Sequence, residues 1–305
     1  MNKISKVFIA TSSFNERLEN FRKFSQFKFY KFLKNPLKKK LTKEQLVSLA
    51  SDCEFIIAGT ESYDKQTIDK LENLKCLFRM GSGIDNIDLT YLKKKKIKFL
   101  KSKITPEIAV AELIVGYILS FYRDIHANNE NMKNHIWMKN MGSILNKKTV
   151  GIVGFGKVGK YLYKILKNFG VKILVHDKKK IDLKNYSLEK LIKKSDIISI
   201  NTSVTSNRKL FTKQKLDLCK KNCLIINTSR PEILDYNYLY KLIKKNKILG
   251  ACIDVFDEEP YYGMFTKLKN VILSPHIGSY SREIRAEMEK EALKVVLNTR
   301  LREFN

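Results

Sequence analysis

The stretch "TVGIVGFGKVGKYLYKILKNFGVKILVHD", Thr149 to Asp177, decides how this chain is read. An apolar run comes first, then a turn with three glycines, then an amphipathic segment. Val158, Leu162, Ile165, Leu166 and Phe169 share one helical face. Gly170 follows where a helix commonly ends in a left-handed residue, and "VKILVHD" is a second apolar run. Strand, turn, helix and strand in that order make the βαβ unit of a parallel sheet.

The same alternation runs through the chain. "KVFIAT", "FIIAG", "CLFRM" and "IKFL" lie in the first hundred residues, and "DIISIN", "CLIIN", "GACIDV" and "NVILSP" follow the opening unit. Continuous apolar strands separated by helices imply parallel sheets covered on both faces, so the class is doubly wound α/β. The first strand series ends near Ile104, and Pro106 opens a long helix. That helix, "IAVAELIVGYILSFY", is interrupted by Glu112 and is shorter than the ~18 residues of a membrane span, so it reads as buried. The final helix, "SREIRAEMEKEALKVVLNT", could pack back on the first domain.

With 305 residues and 44% apolar side chains, the chain can fill two domain cores. Its net charge of +28 raises nucleic-acid binding as a reading. The lysines are scattered over predicted surface helices, and runs such as Lys93–Lys96 and Lys178–Lys180 sit beside helix ends or turns, so a solvated surface is the expectation and no specific nucleic-acid partner is assigned. The five cysteines, Cys53, Cys76, Cys219, Cys223 and Cys252, form no metal-binding pattern and read as free thiols of a reducing compartment. With no secretory signal pattern, the expected location is cytoplasmic.

The glycines of the opening stretch are Gly154, Gly156 and Gly159, a G-x-G-x-x-G between strand and helix. Gly154 allows a tight turn, Gly156 a close backbone approach to a pyrophosphate, and Gly159 close helix–strand packing. The amides of Lys157 and Val158 would meet the phosphate. Asp177 follows Gly159 at nearly the spacing of about 20 residues expected of the acid that binds the ribose hydroxyls. A 2′-phosphate would meet that carboxylate as like charge, which favours NAD over NADP.

"RMGSGIDNID" (Arg79 to Asp88), "VAEL" (Val110 to Leu113), "GFGKVG", "INTSR", "DVFDEEP" (Asp254 to Pro260) and "SPHIGS" (Ser274 to Ser279) occur together in this order. In this the chain resembles the D-isomer-specific 2-hydroxyacid dehydrogenases, and "AGTESYD" and "MGSILNKKTVGIVGFGKVGK" look most like the D-3-phosphoglycerate dehydrogenase branch, in a short form without a regulatory domain. The resemblance implies a flavodoxin-like substrate domain, residues 1–104 plus 281–305. It also implies a Rossmann NAD domain over 105–280, a cleft between the two, and a homodimer.

The resemblance implies a catalytic set of Arg230, Glu259 and His276. His276 would be the acid/base and Glu259 its carboxylate partner, with Glu258 and Asp257 ranked below it. The planar fork of Arg230 would hold the substrate carboxylate. Ser82 and Gly83 would receive that carboxylate through their backbone. Asp254 would bind the nicotinamide carboxamide, and Ser203, Thr228, Ser229 and Gly278 would complete the cofactor contacts. Two positions depart from the family pattern: Pro231 stands where Gly is usual after the arginine, and Asn201 where His is common. No metal is expected. The reading is an NAD-dependent dehydrogenase of a D-2-hydroxy acid, with 3-phosphoglycerate as first substrate and glyoxylate, hydroxypyruvate or D-lactate as alternatives. An NAD-sensing interaction protein of corepressor type is the reading from another class.

Overall fold

The computed structural model describes residues 4–81, 83–202 and 209–299. These residues form two compact units, 4–106 with 282–299, and 107–281.

The first unit is built on five parallel strands: β1 (Ser5–Ile9), β2 (Tyr30–Lys34), β3 (Phe55–Ala58), β4 (Cys76–Arg79) and β5 (Lys98–Lys101). Their order is β2-β1-β3-β4-β5, the flavodoxin-like arrangement. Central β3 and β4 are wholly buried, in keeping with the apolar runs Phe55–Ala58 and Cys76–Phe78, with buried Arg79 ending β4. Helices α1 (Lys43–Ala50), α2 (Lys65–Lys70) and α3 (Leu89–Lys94) connect them, capped by Thr42, Asp64 and Asp88. The helix Arg282–Asn298 belongs to this unit. Its Met288, Ala292, Leu293, Val296 and Leu297 share a buried cluster with Val7, Ile9, Phe55, Ile57 and Phe78. Its buried Glu289 accepts the Asn15 and Glu16 amides, both at 2.8 Å.

The second unit opens with α4 (Glu107–Tyr122) and α5 (Ile125–Lys133). It continues through β6 (Thr149–Val153), α6 (Lys157–Leu166), β7 (Lys172–His176), α7 (Leu188–Lys194), β8 (Ile197–Ile200) and α8 (Lys213–Leu216), then β9 (Leu224–Asn227), α9 (Tyr236–Lys244), β10 (Gly250–Ile253) and β11 (Val271–Leu273). The six strands are parallel in the order β11-β10-β9-β8-β6-β7. Beyond β7 a single parallel bridge joins Val175 to Asn185, where a dinucleotide-binding fold places a further strand. Buried clusters cover both faces of the sheet, α4 and α6 lying on one and α7 and α9 on the other.

Register positions everything that follows. Val153, His176, Ile200, Asn227, Ile253 and Leu273 are Cα partners along one row across the sheet. The next residues, Gly154, Asp177, Asn201, Thr228, Asp254 and Ser274, therefore form a single rim at the carboxyl edge. Neighbouring strands stand roughly 4.8 Å apart.

Candidate active site

At the β6 end of this rim the chain turns into α6. Gly154 has φ +93°, and a Cβ there would lie 2.6 Å from the Asn201 carbonyl oxygen. A Cβ on Gly159 would lie 2.1 Å from the Gly154 carbonyl oxygen, so the helix packs too close for a side chain. Around a Cβ on Gly156 there is nothing within 4 Å, and no side chain caps the helix start. The main chain thus leaves open space at Gly156, beside the first turn of α6, with Lys157 and Val158 in that turn. This fits a pyrophosphate held by backbone amides.

Asp177, at the end of β7, is half-buried. Its Oδ2 accepts the Phe155 amide at 2.6 Å and its Oδ1 accepts the Lys179 amide at 2.8 Å. Burial raises the carboxyl, but the Lys179 and Phe155 amides and the nearby positive charge together hold it below its ordinary value. An ionised acceptor beside the glycine turn fits a ribose diol.

At the end of β9, Asn227 is fully buried and shapes the turn. Its Nδ2 donates to the Arg230 carbonyl and to the Tyr236 hydroxyl, each at 3.0 Å, and its Oδ1 accepts the Ser229 amide at 3.0 Å. Ser229 donates its hydroxyl to the Ile200 carbonyl at 2.7 Å, locking the turn to β8. Thr228 is half-buried beside it. Arg230 is extended (φ −144°, ψ 142°) and donates through Nη1 to the Ser229 carbonyl at 2.8 Å. Pro231 starts a one-turn 3-10 helix, Pro231–Ile233, at a position where a missing N–H costs nothing. The departure from the family glycine thus fits the backbone: proline disfavours helical φ/ψ at Arg230 and is buried behind it. Asn201 bonds locally, its Nδ2 donating to the Ser199 carbonyl at 3.1 Å.

His276 follows β11. Its Nδ1 lies 2.9 Å from Glu259 Oε1 and 3.1 Å from Oε2. Asp257 and Glu258 are exposed, and among the described carboxylates Glu259 alone pairs with His276. Asp254, the residue expected at the nicotinamide carboxamide, stands at the rim just past β10. It is buried, and its carboxylate accepts the Ile277 and Gly278 amides at 2.8 Å each and the Ser274 hydroxyl. Burial raises this carboxyl above its ordinary value, although all three donors oppose that.

In the first unit, Gly83 is anchored by an arginine. Arg79, buried, donates Nε to the Gly83 carbonyl at 2.8 Å and Nη1 to the Met80 carbonyl at 2.6 Å. Ser82 and Ser203 lie outside the described residues. No cluster of His, Cys, Asp or Glu suited to a metal occurs among the described residues. Tyr236, Ser274 and Arg79 escaped the sequence reading as site residues. Each acts through a partner that local spacing does not reveal.

The profile described as the D-isomer specific 2-hydroxyacid dehydrogenase, NAD binding domain, matches residues 115–278. A glyoxylate reductase of Thermococcus litoralis is 32% identical over 312 residues, covering 95% of this chain and 92% of that protein. The chain belongs to the D-isomer specific 2-hydroxyacid dehydrogenase family. It is an NAD-dependent oxidoreductase of 2-hydroxy acids. A D-3-phosphoglycerate dehydrogenase of Methanocaldococcus jannaschii is also 32% identical, over 86% of this chain but 53% of its own length. The Aquifex aeolicus D-lactate dehydrogenase, solved with NAD and lactic acid, shares the fold of this dehydrogenase with a TM-score of 0.81. It is 23% identical, and the match covers 96% of this chain and 94% of that one.

Proposed function

We propose that this dehydrogenase reduces a small 2-oxo acid to the D-2-hydroxy acid and catalyses the reverse oxidation, with His276 as the acid/base. The observation carrying this is the His276–Glu259 pair at 2.9 Å on the same rim as the glycine turn. With Nδ1 held by Glu259, Nε2 is the ring nitrogen left to give a proton to the forming alkoxide. NADH, when bound, supplies the hydride. Arg230 would hold the substrate carboxylate and polarise the ketone, and its extended backbone is fixed between Asn227 and Pro231. In the first unit, the Gly83 turn is the candidate backbone site for a carboxylate.

We favour an unphosphorylated substrate, hydroxypyruvate or glyoxylate. The arginine at the Gly83 turn donates to main-chain carbonyls, and the neighbouring loop carries buried Glu61, a poor setting for a phosphate. A phosphorylated substrate, 3-phosphohydroxypyruvate, is the second reading, supported by likeness to the M. jannaschii protein.

A homodimer and a cytoplasmic location complete the proposal. The segment 125–144 exposes Trp137 (79%), Met141 (98%) and Ile144 (68%), an apolar surface suited to a second copy. All five thiols are unpaired, as a reducing compartment favours. The deciding experiment is NADH oxidation screened against glyoxylate, hydroxypyruvate, pyruvate, 2-oxoglutarate and 3-phosphohydroxypyruvate. Turnover is expected with hydroxypyruvate or glyoxylate. No turnover on any of them, with NADH bound, overturns the reading.

A further inference from the structure

We propose that Tyr117 is a positioning residue for His276, acting from α4 through Ser274 and Asp254. The proposal rests on reading His276 as the proton donor. Tyr117, Ser274 and Asp254 are 5%, 8% and 0% exposed. Ser274 and Asp254 are the first residues beyond neighbouring strands β11 and β10, and Tyr117 reaches them from the helix covering that end of the sheet. The Tyr117 and Ser274 hydroxyls are hydrogen-bonded, and Ser274 donates to Asp254 Oδ1.

Hydrogen inventory orders the chain. Serine has one hydroxyl hydrogen, and an ionised carboxylate can only accept. With its hydrogen given to Asp254, Ser274 must accept from Tyr117. Burial pushes the Tyr117 phenol up, so it stays a donor. Asp254 then fixes the two amides that follow His276, those of Ile277 and Gly278, at 2.8 Å each. Gly278 permits this approach, since a Cβ there would stand 3.1 Å from Asp254 Oδ2.

The turn so held is unusual. His276 has φ +55°, and its amide donates to the Ser274 carbonyl at 3.0 Å. A histidine keeps a left-handed backbone when its surroundings over-determine it. Ser274 therefore acts at both ends: its carbonyl takes the His276 amide, and its hydroxyl passes the Tyr117 contact to Asp254. The same turn aims the ring at Glu259. A phenylalanine would fill the Tyr117 volume, so the hydroxyl can be tested apart from packing.

The test compares Tyr117→Phe, Ser274→Ala, Ser274→Thr and the double variant Tyr117→Phe/Ser274→Ala. One readout is steady-state NADH oxidation with the best-used 2-oxo acid of the screen. The other is amide hydrogen exchange over residues 274–281, which needs no turnover. Tyr117→Phe is expected to lower kcat about five- to tenfold, the worth of one hydrogen bond, with KM for NADH unchanged. Exchange at Ile277 and Gly278 should quicken by a similar factor while β10 stays protected. Ser274→Thr, which keeps the hydroxyl, should retain activity, and the double variant should be no worse than Ser274→Ala. Unchanged kcat and exchange in Tyr117→Phe, or losses that multiply in the double variant, overturn the proposal. His276→Ala is run alongside. A loss there with a silent Tyr117→Phe overturns the positioning role alone; no loss in His276→Ala overturns the reading of His276 and the proposal with it.

Discussion

His276 Nδ1 lies within hydrogen-bonding distance of both Glu259 oxygens, 2.9 and 3.1 Å away, so the carboxylate engages one ring nitrogen, and Nε2 is the one proposed to carry the proton. His276→Ala should lower kcat by about 10²–10⁴-fold. NADH affinity, followed by fluorescence titration, should be retained. Glu259→Gln keeps an acceptor but removes the charge, and a smaller loss of about tenfold to a hundredfold is expected.

The Asp177 carboxylate bridges the Phe155 and Lys179 amides at the end of β7, where an adenine ribose would bind. Asp177→Gly removes the like charge that a 2′-phosphate would meet, with Lys178 to Lys180 alongside. The ratio of kcat/KM for NADPH over NADH should rise at least about tenfold. An unaltered ratio would mean that the ribose is held elsewhere.

Gly159→Ala sets a methyl group 2.1 Å from a backbone carbonyl that cannot swing aside. The helix must shift, at a cost of about 1–3 kcal/mol. A Tm lower by several degrees and weaker NADH binding are expected together. Wild-type values for both would show that helix and strand are less tightly packed than described.

Arg79→Lys keeps the positive charge but loses the fork that reaches both Gly83 and Met80. If the Gly83 turn receives the substrate carboxylate, KM for the 2-oxo acid should rise about five- to tenfold while kcat changes little. Equal KM values would remove this turn from the substrate site.

Asp196 lies at the opposite edge of the second sheet from the rim, accepting the Thr149 amide at 2.8 Å and Lys220 at 2.9 Å. Burial raises its carboxyl, but Lys220 and the Thr149 amide prevail and hold it below its ordinary 3.8. A carboxyl depressed in the folded state stabilises fully above its unfolded value, and the contribution is lost as pH falls through the folded value. Asp196→Asn should therefore lower Tm at pH 7, and the gap from wild type should close on acidification below about pH 4. A gap independent of pH would mean that Asp196 acts through shape alone.

Strands buried on both faces were legible because parallel sheets demand apolar runs: β6, β8 and β9 are mostly Val, Ile and Leu. The glycine turn was legible because steric demands act within a few residues. Edge strand β2, "YKFLK", was passed over because solvent at the sheet edge admits lysines. The bridge at Asn185 has no strand pattern at all, since one residue does the pairing. Tyr117 could not be read as part of the site because its partner Ser274 lies 157 positions away, and within α4 it looks like any core residue. Asp254 was seen as a site residue, but which of its neighbours it serves depends on how the 274–278 turn folds back.

The helix Arg282–Asn298 has a consequence for biosynthesis. Glu289 is separated from its partner Asn15 by 274 positions, yet it completes the same unit. At roughly 5–20 residues per second, a ribosome needs tens of seconds to bridge that interval. By its end all strands of the second unit have been made, yet the face of Val7, Ile57 and Phe78 destined for that helix still lacks its cover. The unit begun second is finished first, and the nascent N-terminal sheet stays incomplete until the helix Arg282–Asn298 emerges.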